Sequence, residues 1–378
     1  MKLVYFIDHL RPDGAQKFLH QLVEGMASRG HQQIIICLND SWDTGLVEQI
    51  RRAGVRVHIV GKIPLASGIG WLMTLRLLRR DQYDVAITCL FAADVIGRLL
   101  ARAANIPRII TAVQTRNANY PWWKFWLVRL TAPLADLVVS CSATIRTFVA
   151  QHEGVPLSRI EVIPNSVSVG ESRGSYSSEQ VREELGLGPN DVLIGSVGRL
   201  TEQKGFDVLL HALPMVHGSR LRVVIAGVGE LDAMLRRLAA ELGIADRVYF
   251  AGYRRDVSSL LSALDLYVHP SRFEGMPFAV LEAMAAGCPI VASAVDGTRE
   301  LIDDGVHGWL VPPDDPVALA YAIDAALGDI AEARRRGELA RQRVAAQFNV
   351  DAMVDAWEQI LIDITREAPT GVIRSERT

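Results

Sequence analysis

The chain has 378 residues, long for one hydrophobic core and comfortable for two domains of ordinary size. Hydrophobic residues make up 49%, charged residues 22%, and the net charge is only -3. That balance argues against a disordered chain and against a polyanion binder, so nucleic acid is not an expected partner. Cys37, Cys89, Cys141 and Cys288 are scattered without Cys-x-x-Cys spacing and read as buried, reduced thiols of a cytosolic protein.

The run Met1-Lys2-Leu3-Val4-Tyr5-Phe6-Ile7-Asp8 enters a strand pattern at once, with no small-residue cleavage site behind an apolar stretch. No export signal is read, and nowhere do about 18 uncharged apolar residues run together as a membrane span would need. A cytoplasmic location is the expectation. Strand-like and amphipathic helix-like runs then alternate to the end, the pattern of parallel sheets wrapped by helices. In the first half, strands are predicted at Leu3 to Ile7, Gln33 to Leu38, Val55 to Val60, Val85 to Cys89, Arg108 to Ala112 and Leu137 to Ser140. The first helix carries Leu19, Leu22, Val23 and Met26 at helical spacing, and Gly30 supplies its stop. Around Val162-Ile163-Pro164-Asn165 the first domain ends, and residues 170–178, rich in Gly and Ser, read as an exposed connection. Strands resume at Val192 to Val197, Leu221 to Ala226, Val248 to Ala251, Leu266 to His269, Ile290 to Ala292 and Trp309 to Val311. The last helix, around Val350 to Arg366, shows an apolar face of Met353, Val354, Trp357, Ile360, Leu361 and Ile364 that needs a surface to cover. The expected boundaries are 1–168 and 169–354, with the terminal helix of 355–378 crossing back to the first domain. No period of 20 to 50 residues suggests a repeat array.

The most informative stretch is Ser271 to Gly287, in which Glu274 and Glu282 bracket a Gly275-Met276-Pro277 turn and an apolar helix. Pro277 suits a first helical turn, which puts Glu274 on the loop and Glu282 on the helix. Amides at that helix start, with their partial positive charge, would face an anion such as a diphosphate. A carboxylate accepts two hydroxyls side by side, so one acid on each side of the diphosphate can hold a sugar ring and a ribose. Upstream, a strand ends in Gly198-Arg199 and is followed by a loop bearing Lys204. Ligands bind where parallel strands end. There, the Arg199 fork and the Lys204 point charge could neutralise a diphosphate leaving group without a metal, whereas an isolated Arg and Lys would be solvated surface cations.

Gly198-Arg199-x4-Lys204-Gly205 together with Glu274-x7-Glu282 resembles the retaining glycosyltransferase family 4, the GT-B relatives of sucrose synthase and phosphatidylinositol mannosyltransferase. The resemblance covers nearly the whole chain. It includes Val162-Ile163-Pro164-Asn165, Ala226-Gly227-Val228-Gly229-Glu230, Phe250-Ala251-Gly252-Tyr253, His269-Pro270-Ser271, Gly287 to Ser293, and Gly297-Thr298-x-Glu300. It implies two doubly wound, Rossmann-like parallel-sheet domains facing a central cleft, the first holding the acceptor and the second the donor. It implies diphosphate binding by Arg199 and Lys204, ribose binding by Glu282, and sugar-hydroxyl contact by Glu274, with the backbone of Gly275, Met276, Pro277 and Phe278 completing the cradle. Arg199, Lys204 and Glu274 are the expected catalytic set, Gly198 belongs to the donor site, and Tyr253 and Arg254 fall in the region of the base. The implied reaction moves a hexose-type sugar from a nucleoside diphosphate sugar, UDP before GDP, to a hydroxyl with retention. No cofactor and no metal are expected, and a lipid-linked or cell-envelope glycan is the expected acceptor. A GT-B epimerase and a catalytically silent nucleotide-sugar-binding subunit are the rival readings.

Two departures from the family stand out. Asp13-Gly14-Ala15 keeps one glycine where relatives often have a pair, leaving Gly14 either a donor-phosphate contact or a plain turn residue. After the strand at Ile109 to Ala112, where many relatives place a histidine, this chain has Val113-Gln114-Thr115-Arg116-Asn117, so Gln114, Arg116 and Asn117 are the candidates for sugar or acceptor contact. Gly227-Val228-Gly229 begins like a dinucleotide fingerprint, but Asp232 replaces the third glycine, which disfavours a nicotinamide site. Asp303-Asp304 and Asp314-Asp315 lack metal-ligand spacing and read as surface turns. Finally, Trp122, Trp123 and Trp126 lie beside Lys124 and Arg129, which reads either as a buried helix or as a peripheral contact with the inner face of a membrane.

Overall fold

The computed structural model describes residues 1–61, 68–116, 120–169, 176–188, 190–218 and 220–366; Asn117 and most of the 170–178 connection lie outside them. The chain forms two compact units, Met1–Asn165 with Val350–Thr378, and Ser166–Asn349. The return to the first unit therefore falls at Val350, where the last helix starts, rather than at 355.

Among the described residues the first unit holds a seven-stranded parallel sheet in the order β3-β2-β1-β4-β5-β6-β7. The strands are β1 (Lys2–Ile7), β2 (Gln32–Cys37), β3 (Arg56–Ile59), β4 (Val85–Cys89), β5 (Arg108–Val113), β6 (Leu137–Ser140) and β7 (Ile160–Val162). β1, β4 and β5 are buried along nearly their whole length, as continuous apolar strands covered on both faces should be. The sequence reading missed β7, whose three residues place Glu161 between two aliphatics.

Helix Gly14–Ser28 buries Phe18, Leu19, Leu22, Val23 and Met26, and Gly30 follows it with φ +80°. Against it lies helix Val350–Arg366, with Trp357 wholly buried and 5.6 Å from the Phe18 ring. Gly25 faces Val354 so closely that a Cβ there would stand 2.5 Å from a valine methyl. Charges seal the edge: Glu358 accepts from Arg29 Nη1 at 2.6 Å and meets His31 Nε2 at 2.8 Å.

The second unit has a six-stranded parallel sheet in the order β10-β9-β8-β11-β12-β13. These are β8 (Val192–Val197), β9 (Leu221–Ala226), β10 (Val248–Gly252), β11 (Leu266–His269), β12 (Ile290–Ser293) and β13 (Trp309–Val311). Both acid pairs are absorbed by turns and caps. Asp304 accepts the Leu310 amide at 2.9 Å, Asp315 caps helix Pro316–Gly328 through the Ala318 amide at 2.9 Å, and Asp303 and Asp314 pair with Arg343 and Arg272.

Candidate active site

In a doubly wound sheet the ligand crevice opens at the carboxyl ends of the strands where the winding reverses. In the second unit that point lies between β8 and β11. The loop after β8 carries Gly198, Arg199 and Lys204, and the loop after β11 carries Glu274 and leads into helix Phe278–Ala285.

Two glycines let backbone approach backbone here. Gly205 has φ +61°, and a Cβ on it would lie 2.2 Å from the Pro270 carbonyl oxygen; a Cβ on Gly297 would lie 1.8 Å from that of Gly275. The loop after β11 is thus held between the β8 loop and helix Asp296–Leu301. Arg272 reinforces it, donating to both Asp207 oxygens at 3.0 and 2.7 Å and to Asp314 at 2.6 Å. On the other side, the Gly198 and Leu200 amides donate to the Ala226 and Val228 carbonyls, each at 3.0 Å, so the Gly227 turn buttresses the Gly198-Arg199 loop.

At the centre is Glu274, 5% exposed. Its Oε1 accepts from Lys204 Nζ at 2.5 Å and Ser271 Oγ at 2.7 Å, with His269 Nε2 at 3.1 Å; its Oε2 faces Gln203 Nε2 at 3.4 Å. Burial alone would raise this carboxyl, but the Lys204 charge and the His269 bond outweigh burial and hold it at about 2. Sequence reasoning put Lys204 on the diphosphate and Glu274 on the sugar; the structure ties the two to each other. It also adds His269, Ser271 and Gln203, whose bonds to Glu274 were not foreseen.

The other second-unit candidates fall around this centre. Arg199 is exposed, and Gly198 lies under the Lys204 stem, with room for a Cβ only 3.4 Å from its carbons. Gly275, Met276 and Pro277 are buried in the turn, and Phe278 opens the helix, whose N-cap Pro277 contributes no side-chain bond. Glu282 is half-buried one turn further on; after burial itself, its charge and that of Glu274 push the Tyr267 hydroxyl well up. Tyr253 is half exposed. Arg254 is committed elsewhere, donating to Glu184 at 2.7 and 2.8 Å and to Asp256 at 3.0 and 2.7 Å.

In the first unit the winding reverses between β1 and β4. Asp8, just past β1, accepts the Ala92 and Ala93 amides at 3.0 and 2.7 Å, and Asp94 accepts from Thr88 at 2.7 Å. Leu90 here has φ +79°, and residues Ala93–Gly97 form a π turn, both marks of a constrained strand end. The Lys124 ammonium stands over Phe91, Tyr120 and Trp123, at 4.8, 5.0 and 5.6 Å from the ring centroids. No motif announced this cluster, because Asp94 sits in an otherwise apolar run. Gln114 follows β5 and receives the Cys141 thiol on its carbonyl at 3.5 Å; the Arg116 guanidinium lies 5.5 Å from the Phe148 ring centroid, and Phe148 stacks on His152 at 4.3 Å. Gly14 is the first residue of its helix. On helix Trp122–Thr131, Trp122 and Trp126 are 80% and 57% exposed, which rules out the buried-helix reading for those two rings.

Two doubly wound parallel-sheet units, each with its polar cluster at a winding reversal, define the GT-B class of glycosyltransferases. The structure of Anabaena HepE in complex with UDP-glucose matches with a TM-score of 0.87 at 22% identity, covering 96% of this chain and 100% of that one. Residues 12–171 match Glycosyltransferase Family 4 and residues 177–343 match Glycosyl transferases group 1. The lipopolysaccharide core biosynthesis glycosyltransferase LpsE of Rhizobium meliloti is 32% identical over 365 residues, 96% of this chain and 99% of its own. The UDP-Gal:alpha-D-GlcNAc-diphosphoundecaprenol alpha-1,3-galactosyltransferase of Escherichia coli is 25% identical over 364 residues, 93% of this chain and 94% of its own. The chain belongs to glycosyltransferase family 4.

Proposed function

We propose that the protein transfers a hexose-type sugar from a nucleoside diphosphate sugar, UDP in preference to GDP, to a hydroxyl of a lipid-linked or cell-envelope glycan, with retention and without a metal. The observation that carries the reading is the buried Lys204–Glu274 pair at the reversal between β8 and β11, directly before a helix start. An ammonium has three donors, so Lys204 can keep Glu274 and still take a phosphate oxygen. Arg199 supplies the second cation, the amides around Gly275 to Phe278 face the phosphates, Glu282 takes the ribose, and Glu274 takes a sugar hydroxyl. Stabilising the departing diphosphate then does most of the catalysis, as fixed donors do for developing oxyanions elsewhere. The unit Ser166–Asn349 is the donor unit in this reading, and the first unit, with its cluster of Asp8, Asp94, Tyr120 and Lys124, is the acceptor unit.

UDP and envelope glycans are suggested by what is printed of the relatives: HepE binds UDP-glucose, the Escherichia coli enzyme uses UDP-Gal and a diphosphoundecaprenol acceptor, and LpsE serves lipopolysaccharide core biosynthesis. No helix among the described residues is long and apolar enough to cross a membrane. We assign membrane contact to the exposed Trp122 and Trp126 beside Lys124 and Arg129, placing the enzyme at the cytoplasmic face. Thermal-shift screening of UDP-, GDP- and ADP-sugars tests the donor, since only the true one raises the melting point by mass action. Transfer of labelled sugar to a polyprenyl-diphosphate saccharide tests the reaction; a new sugar nucleotide formed without acceptor would make it an epimerase. Flotation with anionic liposomes tests the surface, and equal flotation of a Trp122→Ser/Trp126→Ser variant would remove it from the account.

A further inference from the structure

We propose that Tyr267 and His269 form a one-way hydrogen-bond relay that keeps its donors on Glu274 Oε1 and so leaves Oε2, met by Gln203 at 3.4 Å, for a sugar hydroxyl. The inference rests on the donor reading above and names the residues that set its sugar contact. Tyr267, His269 and Ser271 are each no more than 1% exposed, so water cannot satisfy them and their protons must be shared among themselves.

Counting those protons gives the direction. Ser271 has one hydroxyl proton and stands 2.7 Å from the Glu274 carboxylate, so it donates there. Its oxygen is then an acceptor, and it faces His269 Nε2 at 3.1 Å. His269 Nε2 also faces Glu274 Oε1 at 3.1 Å, so Nε2 carries the imidazole proton between two acceptors. Burial, acting against the pull of Glu274, lowers the histidine and keeps it neutral, which leaves Nδ1 bare. The Tyr267 hydroxyl, 3.1 Å away, supplies the proton that Nδ1 accepts; the Val197 carbonyl at 3.5 Å is its longer alternative.

Every arrow therefore runs from Tyr267 through His269 and Ser271 to Glu274. With Lys204 added, Oε1 takes three donors, while among the described residues Oε2 meets only Gln203, at 3.4 Å. A carboxylate oxygen with unused lone pairs is what a sugar hydroxyl needs. Tyr267 and His269 touch no substrate; they are positioning residues acting through Glu274.

The test compares Tyr267→Phe, His269→Ala and His269→Gln with the parent, using UDP with UDP-glucose and GDP with GDP-mannose in calorimetric titrations. His269→Ala should weaken the bound nucleotide sugar by roughly tenfold or more, the loss of a hydrogen bond to a charged group, and Tyr267→Phe by roughly fivefold, the loss of a neutral one, while both leave the nucleoside diphosphate within about twofold. His269→Gln, which keeps a donor amide, should recover part of the loss. Nitrogen-15 spectra of the parent should show His269 protonated on Nε2. An Nδ1-protonated ring, unchanged sugar-nucleotide affinity, or equal losses for both ligands would overturn the relay. A parent protein that binds none of the four probes overturns the donor reading, and the relay with it.

Discussion

Removing Lys204 while leaving Glu274 in place should cost the second unit at least about 3 kcal/mol near neutral pH. Glu274 is held at about 2 against an ordinary 4.5, and at about 1.4 kcal/mol per pH unit that gap amounts to ~3 kcal/mol. Truncating one partner of a buried pair elsewhere costs about 3–5 kcal/mol, which agrees. In Lys204→Met the carboxyl keeps Ser271, His269 and Gln203 but loses its only ion-pair cation of fixed charge among the described residues, so burial pushes it back up.

The sign with pH follows. In the parent the folded value is depressed, so its stabilisation is present above about 4.5 and is lost as pH falls toward 2. In the variant the folded value is raised, so stability falls as pH rises through it. The gap between the two proteins should therefore widen as pH rises from about 2 through the variant's raised value. Hydrogen exchange of Val192–Val197 and Leu266–His269, read by mass spectrometry, measures opening of this unit separately from the other. Adding Glu274→Gln should return most of the lost stability, since no unpaired charge is then buried. A gap below about 0.5 kcal/mol at pH 7, or a double variant no better than Lys204→Met, would refute the reasoning.

Gly205→Ala combines a φ of +61° with a Cβ 2.2 Å from the Pro270 oxygen, and should lower stability by at least about 2 kcal/mol in a melting experiment; an unchanged melting point would contradict the loop contact. Trp357→Ala empties a fully buried site against Phe18 and should cost about 3–5 kcal/mol, read as faster exchange in Gly14–Ser28 with β8 to β13 unaffected. Trp357→Phe should lose far less, because the indole N–H has no hydrogen-bond partner among the described residues. Burial, against the pull of Arg98, pushes Asp94 and Glu153 each up to about 7. Both folded values are raised, so their stability contribution is full below about pH 4 and is lost as pH rises toward 7; exchange in β4 and β5, corrected for intrinsic rates, should accelerate between about pH 4 and 7 and level off above. Asp94→Asn, which keeps an acceptor for Thr88, should flatten that profile.

The strands at both winding reversals were legible because β1, β4, β8 and β11 are dominated by buried apolar residues, and such runs announce themselves in a sequence. β7 escaped because three residues with a central acid carry almost no pattern. The π turn after β4 escaped as well, since its special geometry shows first in the backbone of Leu90, a residue with no reputation for left-handed conformations. Around Glu274 the sequence did hold a signal that was passed over. Tyr267 and His269 stand two apart in β11, which in a strand means one shared side, Ser271 follows two residues on, and buried polar side chains on one side of a strand have to lead to a partner.

What local pattern cannot reveal is how a charge spends its donors. Arg254 and Lys204 are both cations near strand ends of the same sheet, and sequence reasoning assigned both to the nucleotide. Arg254 gives four hydrogen bonds to Glu184 and Asp256, one of them 70 positions away in the chain, and a guanidinium so engaged is a strut for the β10 end rather than a reader of bases. Lys204 meets Glu274, also 70 positions away, but through one of three donors, on a stem that can turn toward a phosphate. The difference lies in the valence left over after the protein has taken its share. By that measure Lys204 and Glu274 Oε2 have capacity for a substrate and Arg254 has little, so Arg254→Gln should weaken folding more than it changes the choice between UDP- and GDP-sugars; a switch in base preference would return Arg254 to the site.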